Sequence, residues 1–331
     1  MSNPPLISVI IPTYNNANFI LNAINSVLNQ TFKNIEIIII DDGSTDNTKT
    51  LLENLIQLGK IKYYFQENKG LAAARNTGLR HSTGKFLKFL DADDILYPQQ
   101  LDLQANHLIN KEETVLSVTD YELEFESKNK KNIKIIFGKS PFLARFIEGN
   151  PCPVHVILVS RLFVLEAGGF FEGLRSHEDS DLWIRLILMG ATFEHIDYIG
   201  CSYKIHNASL SANHQKMFIN NCCYAERLNT LMMPLIDSTH DAVRHQLLAA
   251  NMKLIMTCFA LREHAGNHLS VTLRVTQRLY EIQGNIIVKT LCSLFTVTGI
   301  LKLIYLKNRL LNKNFVKDLT AIRWRNEDFY N

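Results

Sequence analysis

Lys85-Phe86-Leu87-Lys88-Phe89-Leu90-Asp91-Ala92-Asp93-Asp94 is the stretch on which the reading of this chain turns. It opens as an apolar run of the kind a buried strand needs, and it ends in three carboxylates within four residues. Parallel sheets gather ligands at the C-terminal ends of their strands, so this strand would deliver clustered carboxylates to a ligand edge. Anions this close raise one another's pKa unless positive charge sits among them. A divalent cation is the simplest such charge, and oxygen donors alone select Mg²⁺ or Mn²⁺. The other reading is that the aspartates cap a helix starting near Tyr97-Pro98, but a cap needs one of them, not three.

The preceding residues supply the sheet. Leu6 to Ile11 is a β-branched run that Pro12 should end, and Ile35 to Ile40 and Ile61 to Phe65 are two more buried runs. Between them, Phe19, Ile20, Ala23, Ile24, Val27 and Leu28 recur at helical spacing, as do Leu51, Leu52, Leu55 and Ile56. Gly70 to Leu79 is an Ala-rich helix carrying Arg75. Short links between alternating strands and helices predict an α/β fold with a doubly wound, mainly parallel sheet.

Strand ends then carry Pro12-Thr13-Tyr14, Asp41-Asp42 and the aspartate cluster. Tyr14 offers a face for stacking or is a half-buried turn aromatic. The Asp42 carboxylate can accept from a base edge or a ribose hydroxyl. Arg75 is either a phosphate clamp or a helix-surface ion pair. No glycine-rich phosphate cradle occurs, so phosphates would be held by metal and arginine.

Past Val115 the pattern loosens into a charged excursion from Tyr121 to Lys134, a strand at Ile133–Phe137 and a stiff Pro151-Cys152-Pro153 link into a strand from Val154 to Val159. A short helix from Arg161 to Ala167 stops at Gly168-Gly169-Phe170. The second chemical cluster is His177-Glu178-Asp179-Ser180-Asp181-Leu182-Trp183 at the start of another helix. A helix N-terminus favours acidic residues, but three beside a histidine exceed that need, and a carboxylate among others can hold a pKa suited to taking a proton. His206, in the loop after the last strand signal, is either a metal ligand or a hydrogen-bonded side chain.

The motifs Ser8-Val9-Ile10-Ile11-Pro12-Thr13-Tyr14-Asn15, Ile40-Asp41-Asp42-Gly43-Ser44-Thr45-Asp46, Ala74-Arg75-Asn76-x-Gly78, Leu90-Asp91-Ala92-Asp93-Asp94, Gly168-Gly169-Phe170 and Glu178-Asp179-x-Asp181-Leu182-Trp183 follow in order. In this the chain resembles the family 2 inverting glycosyltransferases over about residues 6–210. The resemblance implies the type A nucleotide-diphospho-sugar fold, with Pro12 and Tyr14 at the nucleotide, Asp42 on the base and Arg75 on the phosphates. It makes Asp91 and Asp93 the D-x-D motif of the nucleotide and metal site, with Asp93, Asp94 and His206 around the ion. Asp179 becomes the catalytic base. The donor it implies is a nucleotide-diphospho sugar, a UDP-sugar first, and the acceptor a glycan or lipid-linked hydroxyl in surface glycan assembly. A non-catalytic sugar-nucleotide-binding or scaffold protein would keep the strand-end aspartates but could lose the base. The processive members' Q-x-x-R-W motif is missing: Arg323-Trp324 comes late and Thr320 stands where Gln belongs.

Net charge divides the chain. Residues 1–214 carry 20 basic and 24 acidic side chains and residues 215–331 carry 15 and 8, giving −4 and +7. The first segment reads as the nucleotide-sugar-binding domain. The second, with helical patterns at Leu228–Ile236, Ala242–Leu261, Val271–Ile282 and Ile286–Leu311, reads as a helical extension. Residues 285–317 hold six basic and no acidic residues, suiting an anionic membrane surface or an oligomer contact. The uncharged run Thr290–Leu301 is too short to span a bilayer. No aromatic-interleaved basic patch invites nucleic acid. Six scattered cysteines, with no secretory segment, predict a cytoplasmic protein.

Overall fold

The computed structural model describes residues 6–127, 129–135, 143, 146–147, 150–205 and 214–236. The chain divides into two compact units, Met1–Phe146 with Asn150–Asn213, and Ile147–Gly149 with His214–Asn331.

The first unit starts as a strand–helix alternation: β1 (Ile7–Thr13), α1 (Ile20–Leu28), β2 (Ile35–Asp41), α2 (Thr48–Gln57), β3 (Lys62–Phe65), α3 (Leu71–His81) and β4 (Phe86–Phe89). The four strands lie parallel in the order β3-β2-β1-β4. β1 has a strand on each side and every residue of it is buried, which is why its sequence shows no polar alternation. Ile20, Ala23, Ile24 and Val27 turn the apolar stripe of α1 inward.

β1 runs through Pro12 to Thr13 instead of ending at the proline. Leu90 N–H donates to the Ile10 carbonyl, and Asp42 N–H to that of Thr13. Backbone groups alternate sides along a strand, so the donor Pro12 lacks would point toward β4. Pairing of β4 with β1 stops at Ile10, so no partner there requires it.

Beyond β4 come β5 (Ile95–Leu96), α4 (Gln100–Leu108), β6 (Val115–Phe125), β7 (Lys130–Ile133), β8 (Ile157–Ser160), α5 (Arg161–Glu166), α6 (Glu178–Leu188) and β9 (Thr192–Ile205). The sheet continues β4-β8-β6-β9-β5, with β7 hairpinned onto β6. Here the parallel order gives way to a mixed one: β8 runs antiparallel to both β4 and β6, while β6 and β9 are parallel. β8 turns back against β6, and an antiparallel neighbour needs no crossover helix. The strand expected at Val154 starts at Ile157, because Pro153 opens a 3₁₀ turn over Val154–Val156.

Lys88, in the middle of β4, is wholly buried, and its Nζ donates to Gln104 Oε1 at 2.8 Å. Burial pushes its pKa down to about 7. In the second unit α7 spans His214–Ile236. Among the described residues no helix is long and apolar enough to cross a membrane. The helical patterns from Ala242 onward, the basic 285–317 segment and Arg323-Trp324 lie outside the described residues.

Candidate active site

The C-terminal ends of β1, β2 and β4 form one edge. At β1, Tyr14 is 49% exposed, and Asn15, in left-handed backbone (φ +53°), accepts through Oδ1 from Thr45 N–H at 2.8 Å. Asp41 closes a turn by accepting from Ser44 N–H at 2.7 Å, and takes the Tyr63 hydroxyl on its other oxygen at 2.7 Å. Asp42, expected to meet a nucleobase, accepts from Gln66 Nε2 (2.6 Å), Lys69 N–H (2.9 Å) and Gly70 N–H (2.8 Å). Its carboxylate thus shapes the loop between β3 and α3 and keeps one lone-pair direction unused by these bonds.

Arg75 does not face outward. The residue is 1% exposed; Nη1 donates to Glu178 Oε1 at 2.5 Å and Nη2 to Asp91 Oδ1 at 2.6 Å. The Phe170 ring lies 5.4 Å from its guanidinium carbon. Burial works against the charge, but Asp91, Glu178 and Asp179 outweigh it and hold the Arg75 pKa above its ordinary value. The expected phosphate clamp is therefore a strut under the site, tying the end of β4 to the first turn of α6. Next to it, Asn76 Nδ2 donates to the Phe170 carbonyl at 2.8 Å and Oδ1 accepts from Phe170 N–H at 2.8 Å. That pair fastens the Gly-Gly-Phe turn to α3.

The carboxylates after β4 separate by depth. Asp91 has 29% of its side chain exposed, Asp93 is half-buried and Asp94 is fully buried. Asp94 Oδ1 accepts from Lys204 N–H at 2.8 Å, and Oδ2 lies 3.1 Å from His155 Nδ1. Burial is the main cause that pushes the Asp94 pKa up to about 6, against the pull of His155. His155 is buried too, yet Asp94 and Cys201 hold its pKa well above the ordinary imidazole value.

The acidic start of α6 resolves into three roles. Glu178 pairs with Arg75. Asp181 is buried and pairs with Arg185 one turn on, at 2.7 Å, and Arg185 also donates to the carbonyls of Ala167 and Gly169. Asp179 accepts from Ser180 N–H through Oδ1 (2.7 Å) and from Asn150 Nδ2 through Oδ2 (2.6 Å). Burial raises its pKa, with Arg75 opposing and Asp91 assisting.

Asp91, Asp94 and His155 each present a donor atom within 4.8 Å of the others. Asp94 Oδ2 and His155 Nδ1 are buried together 3.1 Å apart, so a cation entering here would take the place of the proton between them. Two carboxylates and an imidazole suit Mn²⁺, so these residues fit a divalent cation. The donor set differs from the expected Asp93, Asp94 and His206: Asp94 is common to both, and His206 lies outside the described residues. The sequence hint for His155 was a lone imidazole within Val154-His155-Val156-Ile157-Leu158-Val159. Nothing in the sequence singled out Asn150.

The model of glycosyl transferase family 2 matches residues 8–162. An uncharacterized glycosyltransferase of Rickettsia felis is 36% identical over 181 residues, which is 54% of this chain but 30% of the relative. The putative teichuronic acid biosynthesis glycosyltransferase TuaG of Bacillus subtilis is 28% identical over 216 residues, 64% of this chain and 84% of TuaG. Among solved structures, S. aureus TarS 1–349 in complex with UDP aligns with a TM-score of 0.57 at 18% identity, covering 83% of this chain and 82% of that one. The mannosyltransferase PcManGT of Pyrobaculum calidifontis, in complex with GDP-Man and Mn²⁺, aligns at 0.54 and 16%, covering 96% and 84%. At such identities the structures establish the fold alone, here the type A glycosyltransferase-like arrangement. Over residues 8–162, just under half of its length, the chain is thus similar to glycosyl transferase family 2.

Proposed function

We propose that the chain is a metal-dependent, inverting glycosyltransferase that moves a sugar from a nucleotide-diphospho sugar to a hydroxyl acceptor. The observation that carries this reading is the buried Arg75 cluster. It links Asp91, in the strand-end group fit for a cation, to Glu178, the neighbour of Asp179, so that a donor-holding group and a proton acceptor belong to one site.

The Asp179 carboxylate takes the proton of the acceptor hydroxyl as that oxygen attacks the anomeric carbon. Its raised pKa makes it a better base than an exposed aspartate. One base and one displacement invert the anomeric centre. Pro12, Tyr14 and Asp42 lie at the strand ends where the nucleoside would sit, Tyr14 by its exposed face. Asp91, Asp93 and Asp94, with His155 or His206, would hold Mn²⁺ or Mg²⁺. Such an ion, when bound, neutralises charge on the departing diphosphate.

The similar solved structures hold UDP, UDP-GlcNAc and GDP-Man, and a UDP-sugar remains the first donor to try. TuaG's name supports a surface-polysaccharide or glycolipid acceptor. We assign donor chemistry to residues 1–214 and treat residues 215–331 as a helical extension, with 285–317 touching a membrane from the cytoplasmic side or making an oligomer contact.

Thermal melts with UDP, UDP-GlcNAc and GDP-mannose, each with and without Mn²⁺, test the proposal. A ligand bound only by the folded state at 100 times its Kd adds about 2.7 kcal/mol of stability. At least one nucleotide should raise the Tm by several degrees, and more with Mn²⁺ than without. No shift with any of the three would contradict the donor class.

A further inference from the structure

Asp179 is held from two sides. Ser180 N–H fixes Oδ1, and Asn150 Nδ2 reaches Oδ2 at 2.6 Å from a segment 29 residues earlier. The Asn150 amide could in principle be turned either way, but Cys152 N–H donates to its Oδ1 at 3.1 Å. A backbone N–H can only donate, so the oxygen must face Cys152 and the NH₂ must face Asp179. Pro151 and Pro153 fix φ on either side of Cys152, which stiffens the segment that presents the amide. The charged and titratable groups around Asp179 are Arg75 from α3, Asp91 from the end of β4, Glu178 from its own helix and Tyr203 from β9. Arg75, Asp91 and Glu178 are tied into the Arg75 cluster, which leaves Ser180 on Oδ1 and the Asn150 side chain on Oδ2 to set the direction of the Asp179 carboxylate.

We infer that Asn150 is a positioning residue for the reaction: it holds the plane of the Asp179 carboxylate toward the acceptor hydroxyl and favours its ionised form. The inference rests on Asp179 being the base. A carboxylate free to rotate spends little time aimed at the acceptor proton, and misplacement of about 1 Å at a reacting group costs on the order of a hundredfold in rate. A hydrogen bond to the charged form also favours ionisation, so losing it moves titration to higher pH.

The test uses the full chain with Asn150→Ala, Asn150→Asp and Asp179→Asn. Carbon NMR of protein labelled at the aspartate carboxyls, with the Asp179 signal identified by its loss in Asp179→Asn, reads the titration without needing an acceptor. UDP release from UDP-GlcNAc with Mn²⁺, with water as the hydroxyl acceptor that takes the sugar, gives kcat and KM against pH. Asn150→Ala should raise the Asp179 midpoint and shift the acidic limb of kcat upward. It should also lower kcat by about ten- to a hundredfold and leave the donor KM within about twofold. Asn150→Asp, the isosteric change that keeps the acceptor for Cys152 N–H, should raise the midpoint further, because two carboxylates then share one proton. If both variants keep the wild-type midpoint and kcat while Asp179→Asn is inactive, Asp179 stands as the base and the Asn150 inference falls. If Asp179→Asn releases UDP at the wild-type rate, the base assignment fails and takes this inference with it.

Discussion

The two ends of the parallel strands treat carboxylates in opposite ways. At the N-terminal end, Glu36 of β2 accepts from Ser8 Oγ (2.5 Å), Lys62 Nζ (2.6 Å), Thr83 N–H (2.7 Å), Thr83 Oγ1 (2.9 Å) and Gly84 N–H (3.1 Å). Partial burial works to raise its pKa, but these donors win and bring it down to about 2. At the C-terminal end burial wins: Asp94 rises to about 6, and Glu178 and Asp179 also rise. One end satisfies a single anion with more donors than it needs and so ties β1, β2, β3 and the start of β4 together. The other crowds anions around too few donors, which is tolerable only where a cation, a ligand or a proton joins them in use. One sheet thus separates a fully satisfied anion from a set of crowded ones along its strands.

If that separation holds, substitutions at the two ends should have different signatures. The largest loss of stability is expected for Arg75→Met. It leaves Asp91 and Glu178 without their buried partner, and breaking such a cluster costs about 3–5 kcal/mol. Chemical denaturation should show that loss together with loss of turnover, since both halves of the site lean on Arg75. Arg75→Met folding as stably as wild type would show that the strut carries no weight.

Glu36→Gln comes next. A pKa lowered on folding contributes stability that is present above the unfolded value near 4.5 and is lost as pH falls toward 2. Discounted for solvent screening, that is about 2 kcal/mol at neutral pH. Glu36→Gln should therefore unfold earlier in urea at pH 7, lose its disadvantage as pH falls to about 2, and keep wild-type turnover at neutral pH. A turnover defect with unchanged stability would reverse the assignment of the two ends.

Much of this was readable in advance, for reasons that differ by residue. β1 and β2 are nearly continuous apolar runs buried over most of their length, and α1 after β1 carries a 3.6-residue stripe, so there local pattern and tertiary burial agree, whereas β3, at the edge of the sheet, stays half-exposed. The carboxylates at Asp91 to Asp94 and Asp179 stood out because nothing local needs so many. Pairing was harder. Whether Arg75 faces a ligand or a carboxylate depends on Glu178, 103 residues away, and helix periodicity is silent on that. The mixed half of the sheet was hidden because the direction of β8 is set by how the chain returns from β6, not by its own residues. His155 looked like part of a strand because its neighbours are β-branched; the turn belongs to Pro153. Asn150 gave no signal at all, since a single loop asparagine usually serves its own backbone.

The central claim, that the crowded end of the sheet is where sugar transfer is catalysed, comes down to Asp179. Asp179→Asn should change folding stability by under about 1 kcal/mol, because the lost charge-assisted bonds are offset by relief of repulsion with Asp91 and Glu178. The direct measurement is the rate of UDP release from UDP-GlcNAc at saturating donor and Mn²⁺, with water as the hydroxyl acceptor, for wild type and Asp179→Asn at one pH. The expected result is a kcat lower by about two to four orders of magnitude with donor affinity nearly unchanged. A well-folded Asp179→Asn protein that binds donor and turns over at the wild-type rate would contradict the claim.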